Sequence, residues 1–317
     1  MQNQRKIHSR LFARFYKHKR LYQFTGIFGP MENKSKHNQG VVVPKLLLFS
    51  IHLMEFISPY WGMRLAVFFF SKPFRYKRPE REVSIYKEAK KFSYKINKSS
   101  KRVACYRWEG SGPKILFVHG WSSRATNFYK IIARFRELNY DVYAYDALAH
   151  GASEGLTTNI PEMIDTLEEM MTHWGPVEIL VGYSGGAFSS AYVAAHKHSI
   201  KKLVLISPFD KVITVFEKYF NMISLGAKAS QLMLDYFTKK TGHQVEELSA
   251  SQFSKAIKAK TLVIHDKNDR EVDVGEGINI NNSISNSNLL LTEGLGHRRI
   301  LRDSSVIQSL EFFVLND

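Results

Sequence analysis

Ile179-Leu180-Val181-Gly182-Tyr183-Ser184-Gly185-Gly186 is the stretch whose reading decides the fold. A short apolar run ends in the pattern G-x-S-x-G, and residues 186–198 continue with helical spacing. Glycines two residues to either side of Ser184 allow a very sharp turn from strand to helix. Such a turn lifts the serine oxygen out of the backbone and aims a helix N-terminus at it. The five-residue pattern alone is common; its place between a strand and a helix makes Ser184 a candidate nucleophile.

Outward from this point the chain repeats the same rhythm. Ile115–His119, Val142–Asp146, Leu203–Ser207 and Leu262–Asp266 are short apolar runs, each followed by small or polar residues. Continuous apolar runs of this length predict strands buried on both faces, as in a parallel sheet. Stretches near 127–138, 160–174, 186–198 and 303–315 have helical spacing and suit the crossovers. Leu289–Thr292 is predicted as the last strand, and Val83–Tyr94 and Arg102–Trp108 as antiparallel edge strands. One interval breaks the rhythm: more than fifty residues separate the strands at 203–207 and 262–266. With Val212–Ile223 and Ala229–Thr238 reading as helices, the excess predicts a helical cap inserted at about 211–258. It would lie over the C-terminal edge of the sheet, where open α/β sheets bind ligands.

The residues able to do chemistry fall at these strand ends. A serine hydroxyl needs an imidazole to take its proton, and the imidazole needs a carboxylate to fix its tautomer. His297 follows the glycine pair Gly294 and Gly296, and Asp269 closes the segment His265-Asp266-Lys267-Asn268-Asp269. After the strand at 115–118, His119-Gly120-Trp121 leaves the Trp121 amide free to pair with that of Gly185 as an oxyanion hole. The Trp121 side chain is expected either to line an acyl pocket or to pack in the core. Tyr183, Phe216 and Phe220 are further expected substrate contacts. The cap also offers Tyr219, Met222, Leu232, Met233 and Phe237, which either face the site or seat the cap. Asp146–Gly155 reads as a structural loop bordering the site, with His150 outside the chemistry. No His, Cys or Asp cluster has ligand spacing, so neither metal nor cofactor is implied.

In order along the chain, VHGW (118–121), YDALAHGASEG (145–155), VGYSGG (181–186), HDKND (265–269) and GLGHRRI (294–300) resemble the α/β-hydrolase superfamily over about residues 103–317. The resemblance implies an α/β fold with a mostly parallel sheet, a small helical cap and an N-terminal helical appendage. It also implies a serine hydrolase of esterase or lipase type, with the order Ser184, Asp269, His297. The family places its acid at the last Asp of an H-G-x-x-D-like loop. Here Asp266 replaces the glycine, so Asp266 and Asp269 are both candidates, and position favours Asp269. Some members carry the acid after the preceding strand, where Asp210 stands. The likeness is greatest to a bacterial subgroup with a hydrophobic N-terminal helix pair and a GHRRIL-like histidine loop. Cleavage of a carboxylic ester with a small or medium apolar acyl group is the expected reaction. Thioester or amide cleavage, and a non-hydrolytic ligand receptor on the same fold, are the alternatives.

Charge divides the 317 residues unevenly. Residues 1–102 hold 23 Lys and Arg against 5 Asp and Glu, whereas 103–317 hold 22 against 24. Residues 1–40 read as a basic arm, either solvated or drawn to an anionic surface. Met31 is a plausible alternative start. Residues 41–80 read as an apolar helical appendage ahead of the hydrolase-like region 81–317. Lys45, Glu55 and Arg64 interrupt 41–72 too often for a single membrane span, and Ser58-Pro59 divides it into two helices. Flanking basic residues suit either in-plane attachment to anionic lipid or packing on the body. Nucleic acid is a poor partner, because the body is near neutral and lacks a basic–aromatic recognition motif. One cysteine, Cys105, and no secretory pattern suit a cytoplasmic protein, peripheral on the inner face of the membrane.

Overall fold

Alternation along single strands builds the layers. In the strand Lys114–Val118, Ile115 and Phe117 face one side, while Leu116 and Val118 face the other, and all four are buried. A computed structural model describes residues 43–196 and 200–316. The expected basic arm at 1–40 and the alternative start at Met31 lie outside the described residues.

In chain order the elements are α1 (Lys45–Ile57), α2 (Pro59–Phe70), α3 (Val83–Glu88), β1 (Lys90–Lys95), β2 (Arg102–Trp108), β3 (Lys114–Val118), α4 (Tyr129–Glu137), β4 (Asp141–Tyr145), α5 (Ile160–Trp174), β5 (Ile179–Tyr183), α6 (Gly185–His196), β6 (Lys202–Ile206), α7 (Val212–Ile223), α8 (Ala227–Thr241), α9 (Ala250–Ser254), β7 (Lys260–Asp266), α10 (Val274–Ser283), β8 (Ser287–Thr292), α11 (Gly296–Arg299) and α12 (Ser304–Leu315). The strands form one sheet in the order β1-β2-β4-β3-β5-β6-β7-β8. β1, β2 and β4 pair antiparallel, and every pairing from β4 across to β8 is parallel. The apolar runs are the strands of the expected mostly parallel sheet, and the order is that of the fold the resemblance implies.

Helices cover both faces. Met163, Leu167, Met170 and Met171 of α5, with Ala187 and Ala191 of α6, pack on Leu116, Leu180 and Leu205. On the other face Ile131, Ile132 and Phe135 of α4, with Leu310 and Phe313 of α12, pack on Phe117, Val181 and Ile264. Each such buried side chain contributes roughly 1.5–3 kcal/mol of transfer free energy. Asn159 caps α5 by accepting from the Glu162 N–H, and Asp303 caps α12 by accepting from those of Ser305 and Val306.

The segment Val83–Tyr94 departs from the sequence expectation of a single strand. It begins as the helix α3, and only Lys90–Lys95 pairs in the sheet. A single helical turn buries Ile85 and Ala89 against the body, and the Trp108 indole donates to the Ile85 carbonyl. Six residues carry too little periodicity to separate helix from strand.

After β6 the chain leaves the sheet for α7 and α8 and returns through α9. Asp210 ties the two ends of this excursion together. Its carboxylate accepts from the Ser249 hydroxyl and from the Ser251 N–H, and Lys211 forms a bridge with Ser249. α7 and α8 share a separate apolar layer with α1 and α2: Ile51, Met63, Ala66 and Val67 meet Phe216, Ile223, Met233 and Phe237. Ser58 and Pro59 separate α1 from α2, Ser58 being extended and its hydroxyl accepting from the Tyr60 N–H. No helix among the described residues is long and apolar enough to cross a membrane.

Candidate active site

Ser184 stands at the junction of β5 and α6 with φ +53°, the left-handed region that costs a non-glycine residue energy. Its N–H donates to the Ile206 carbonyl at 2.9 Å, so the next strand holds the strained turn. Close approach explains the flanking glycines. A Cβ on Gly186 would come within 2.2 Å of the Val118 carbonyl oxygen, and one on Gly182 within 2.6 Å of the Ala187 Cα.

The histidine and its acid arrive from the far end of the sheet. The Ser184 Oγ lies 3.1 Å from His297 Nε2, and His297 Nδ1 lies 2.6 Å from Asp269 Oδ2. With Nδ1–H donating to Asp269, Nε2 is the free base facing the serine. Asp269 has no solvent-exposed side-chain surface. Its other oxygen accepts from the N–H groups of Glu271 and Val272 at 2.8 and 2.9 Å. Burial pushes this carboxyl up, but hydrogen bonds from His265, His297 and Val272 outweigh burial and hold it well below the usual carboxylate range. It is therefore ionised wherever His297 is neutral.

The other candidate acids do different work. Asp266 accepts from the Thr292 hydroxyl at 2.7 Å and the Leu295 N–H at 2.9 Å, fixing the loop that carries His297. Asp210 is occupied with the cap base, as described above. Of the three carboxylates, Asp269 alone reaches the histidine.

Across from the serine, Gly120 lets the oxyanion loop run close: a Cβ there would meet the Ser184 Cβ at 2.8 Å. The Trp121 amide nitrogen lies 3.6 Å from where a Gly185 Cβ would stand, so the two amides are neighbours. Neither N–H has an acceptor among the described residues. Two unpaired donors beside a serine oxygen are suited to a negative oxygen that forms during reaction. The Trp121 ring is half-buried and meets His150 edge-on at 5.3 Å.

Two buried histidines hold this loop. His119 Nε2 accepts from the Ala147 N–H, and His150 Nε2 accepts from the Ser122 N–H at 3.0 Å. Both acceptor roles require neutral imidazole. Burial, with the neighbouring His119, pushes His150 down to about 3, and burial also lowers His119. The unfolded chain, with histidines near about 6.5, binds protons that the folded chain refuses, so stability falls as pH drops below that value. The loss is complete only once the pH has passed the folded value of about 3. The thermal midpoint should therefore fall between about pH 7 and about pH 5, and the slope should flatten in His150→Gln, whose side-chain carbonyl can still accept from Ser122. A midpoint that is level over this range in the wild type would contradict the neutral assignment.

A segment that sequence reasoning passed over also reaches the loop. Between α2 and α3, residues 71–79 run across the strand ends as a strap. The Phe74 N–H donates to the Ser122 hydroxyl at 2.9 Å. Arg75 donates to the carbonyls of Ala149, Ser153 and Gly155. Arg124 donates to the Tyr76 carbonyl and Arg78 to the Thr126 hydroxyl.

Two expected substrate contacts, Tyr183 and Phe216, lie elsewhere. Tyr183 is buried beneath the site; its hydroxyl donates to the His297 carbonyl at 3.0 Å, and its ring packs on the imidazole at 5.1 Å. It shares a face with Ile179 and Val181, so alternation along β5 turns it into the core. Phe216 is buried among Phe70, Phe220 and Phe237, filling the layer between cap and N-terminal helices, and Phe220 is half-buried against it.

A family profile for the alpha/beta hydrolase fold matches residues 113–238. The chain has the α/β-hydrolase fold. An esterase of Pyrococcus furiosus is 19% identical to this chain with a TM-score of 0.60, covering 77% of this chain and 98% of that one. A bromoperoxidase from Bacillus anthracis is 16% identical with a TM-score of 0.56, covering 72% and 100%. In sequence, the monoglyceride lipase of Rattus norvegicus is 27% identical over 125 residues, which are 36% of this chain and 41% of that protein. A protein of Mycobacterium phage D29 named for non-heme haloperoxidase activity is 32% identical over 104 residues, 31% of this chain and 36% of its own length. The matches thus span about two fifths of these relatives.

Proposed function

We propose that this chain is a serine hydrolase that cleaves carboxylic esters through an acyl-enzyme. The observation that carries the reading is the chain of contacts from Ser184 Oγ to His297 Nε2 and from His297 Nδ1 to Asp269. Ser184 Oγ attacks the ester carbonyl while its proton passes to His297 Nε2. The tetrahedral oxygen takes the negative charge and accepts from the Trp121 and Gly185 amides. As the carbonyl re-forms, His297 returns the proton to the departing alkoxide, and the acyl group remains on Ser184. Water then attacks the acyl carbon as His297 takes its proton, and on collapse His297 returns that proton to Ser184 Oγ as the acid is released. The similarity over 125 residues to a monoglyceride lipase supports ester chemistry. The single cysteine, buried and free, suits a reducing compartment, and we assign the chain to the cytoplasm.

A fluorophosphonate probe tests the nucleophile. Labelling of the wild type, with none in Ser184→Ala, is expected; labelling that persists in the variant overturns the assignment. It also separates hydrolase from a non-hydrolytic receptor, which would not label. The acyl group we propose is small to medium and apolar. In a p-nitrophenyl ester series kcat/KM should peak between acetyl and octanoyl, and equal turnover across the series would remove that part of the reading. Parallel thioester and amide series decide the leaving group.

A further inference from the structure

We infer that the α1–α2 hairpin is a docking face for an anionic lipid surface, on which the protein lies without crossing. The inference is independent of the proposed ester chemistry.

The hairpin's inner side is spoken for by the cap, through Ile51, Met63, Ala66 and Val67. Its outer side is apolar as well. In α1, Leu46, Phe49, Leu53 and Phe56 recur at helical spacing, and all four are exposed, Phe56 to 89%. α2 adds exposed Trp61, at 55%, and Phe68. Exposed apolar residues in a continuous stripe, opposite a face already packed, mark an interaction surface.

The charge around the stripe says what covers it. From 43 to 79 the basic residues are Lys45, Arg64, Lys72, Arg75, Lys77 and Arg78, and the one acidic residue is Glu55. Glu55 turns inward, where it accepts from the Gly226 N–H at 2.9 Å. The outer side therefore presents aromatic and aliphatic groups ringed by Lys45, Arg64 and Lys72, all exposed, with no carboxylate. A second copy of this face would set like charges against each other. Residues 1–42 carry nine Lys and Arg against Glu32, so their sequence offers no complementary charge. An anionic bilayer satisfies both features at once: headgroups pair with the cations, and the apolar stripe enters the acyl boundary. Trp and Tyr favour that depth, and Trp61 stands beside Tyr60 at the hairpin's turn. Helices of 13 and 12 residues are too short to span, so they lie in the plane.

The test is co-sedimentation of the full chain with phosphatidylcholine vesicles, with and without phosphatidylglycerol, at low and high salt. Binding is expected with phosphatidylglycerol, weakened by salt. Phe56→Ser with Trp61→Ser, and separately Lys45→Glu with Arg64→Glu, should each lower partitioning at least about tenfold. Both pairs are exposed, so the circular dichroism spectrum and the turnover of a soluble ester should match wild type. Tryptophan emission should be quenched by brominated acyl chains, and Trp61→Phe should remove the quenching, because Trp108 and Trp174 are buried and Trp121 is half-buried. Wild type that stays in the supernatant at low salt overturns the inference. So does binding that both variant pairs retain, which would move attachment to another part of the chain. Self-association in the absence of lipid that is lost in Phe56→Ser with Trp61→Ser overturns it too, by making the face a contact between copies.

Discussion

Ser184→Ala should leave a folded protein whose ester turnover is lower by roughly 10⁴- to 10⁶-fold. The alanine removes the atom that attacks and leaves the neighbours standing. The Ile206 carbonyl still accepts from the residue 184 N–H, and the Gly182 and Gly186 approaches are untouched. Alanine tolerates the left-handed φ of +53° no worse than serine by more than a fraction of about 1 kcal/mol. Substrate binding and the Trp121 and Gly185 donors survive, so a small residual rate over water is expected. Steady-state kinetics on p-nitrophenyl esters, with a thermal melt as control, measure it. Turnover near wild type in a well-folded variant removes Ser184 from the mechanism.

Asp269→Asn should cost roughly 10⁴-fold in kcat. The amide that replaces the carboxylate can present its NH₂ to His297 Nδ1. The imidazole then holds its proton on Nε2 and cannot accept one from Ser184. Without the negative charge, the imidazolium formed during attack also loses its partner 2.6 Å away. Asp266→Asn should cost less, no more than about a hundredfold, because it disturbs the Leu295 and Thr292 contacts that place His297 and not the proton transfer itself. Asp210→Asn should lower the thermal midpoint and leave kcat near wild type, since its partners are Ser249 and Ser251 at the cap base. If Asp210→Asn proves the most damaging of the three, the acid lies on the other strand end.

The parallel strands were legible in the sequence because strands buried on both faces read as unbroken apolar runs. The site positions were legible because backbone crossings demand glycine, and Gly182, Gly186 and Gly120 mark them. Asp269 stood out from Asp266 only by its position in the loop; the distances separate the two. The inward turn of Tyr183 is legible in the strand: counting by twos from Ile179 puts it on the α4 and α12 face. The strap at 71–79 left no signal, since Arg75 binds three carbonyls and any residue supplies a carbonyl. The burial of Phe216 leaves no local signal, because the helix that covers it, α2, lies far away in the chain, beyond any local periodicity.

The stitch at Asp210 has a consequence for how such a protein can diversify. Because the excursion begins and ends at one point, its length and sequence are free to change without shifting the register of β6 or β7. In this chain, however, the apolar side of α7 and α8 is mated to α1 and α2. The two segments, far apart in sequence, form a single exchangeable module. A graft that carries residues 211–249 to a new host must bring 43–70 with it, or it will expose Phe216, Met233 and Phe237 to water.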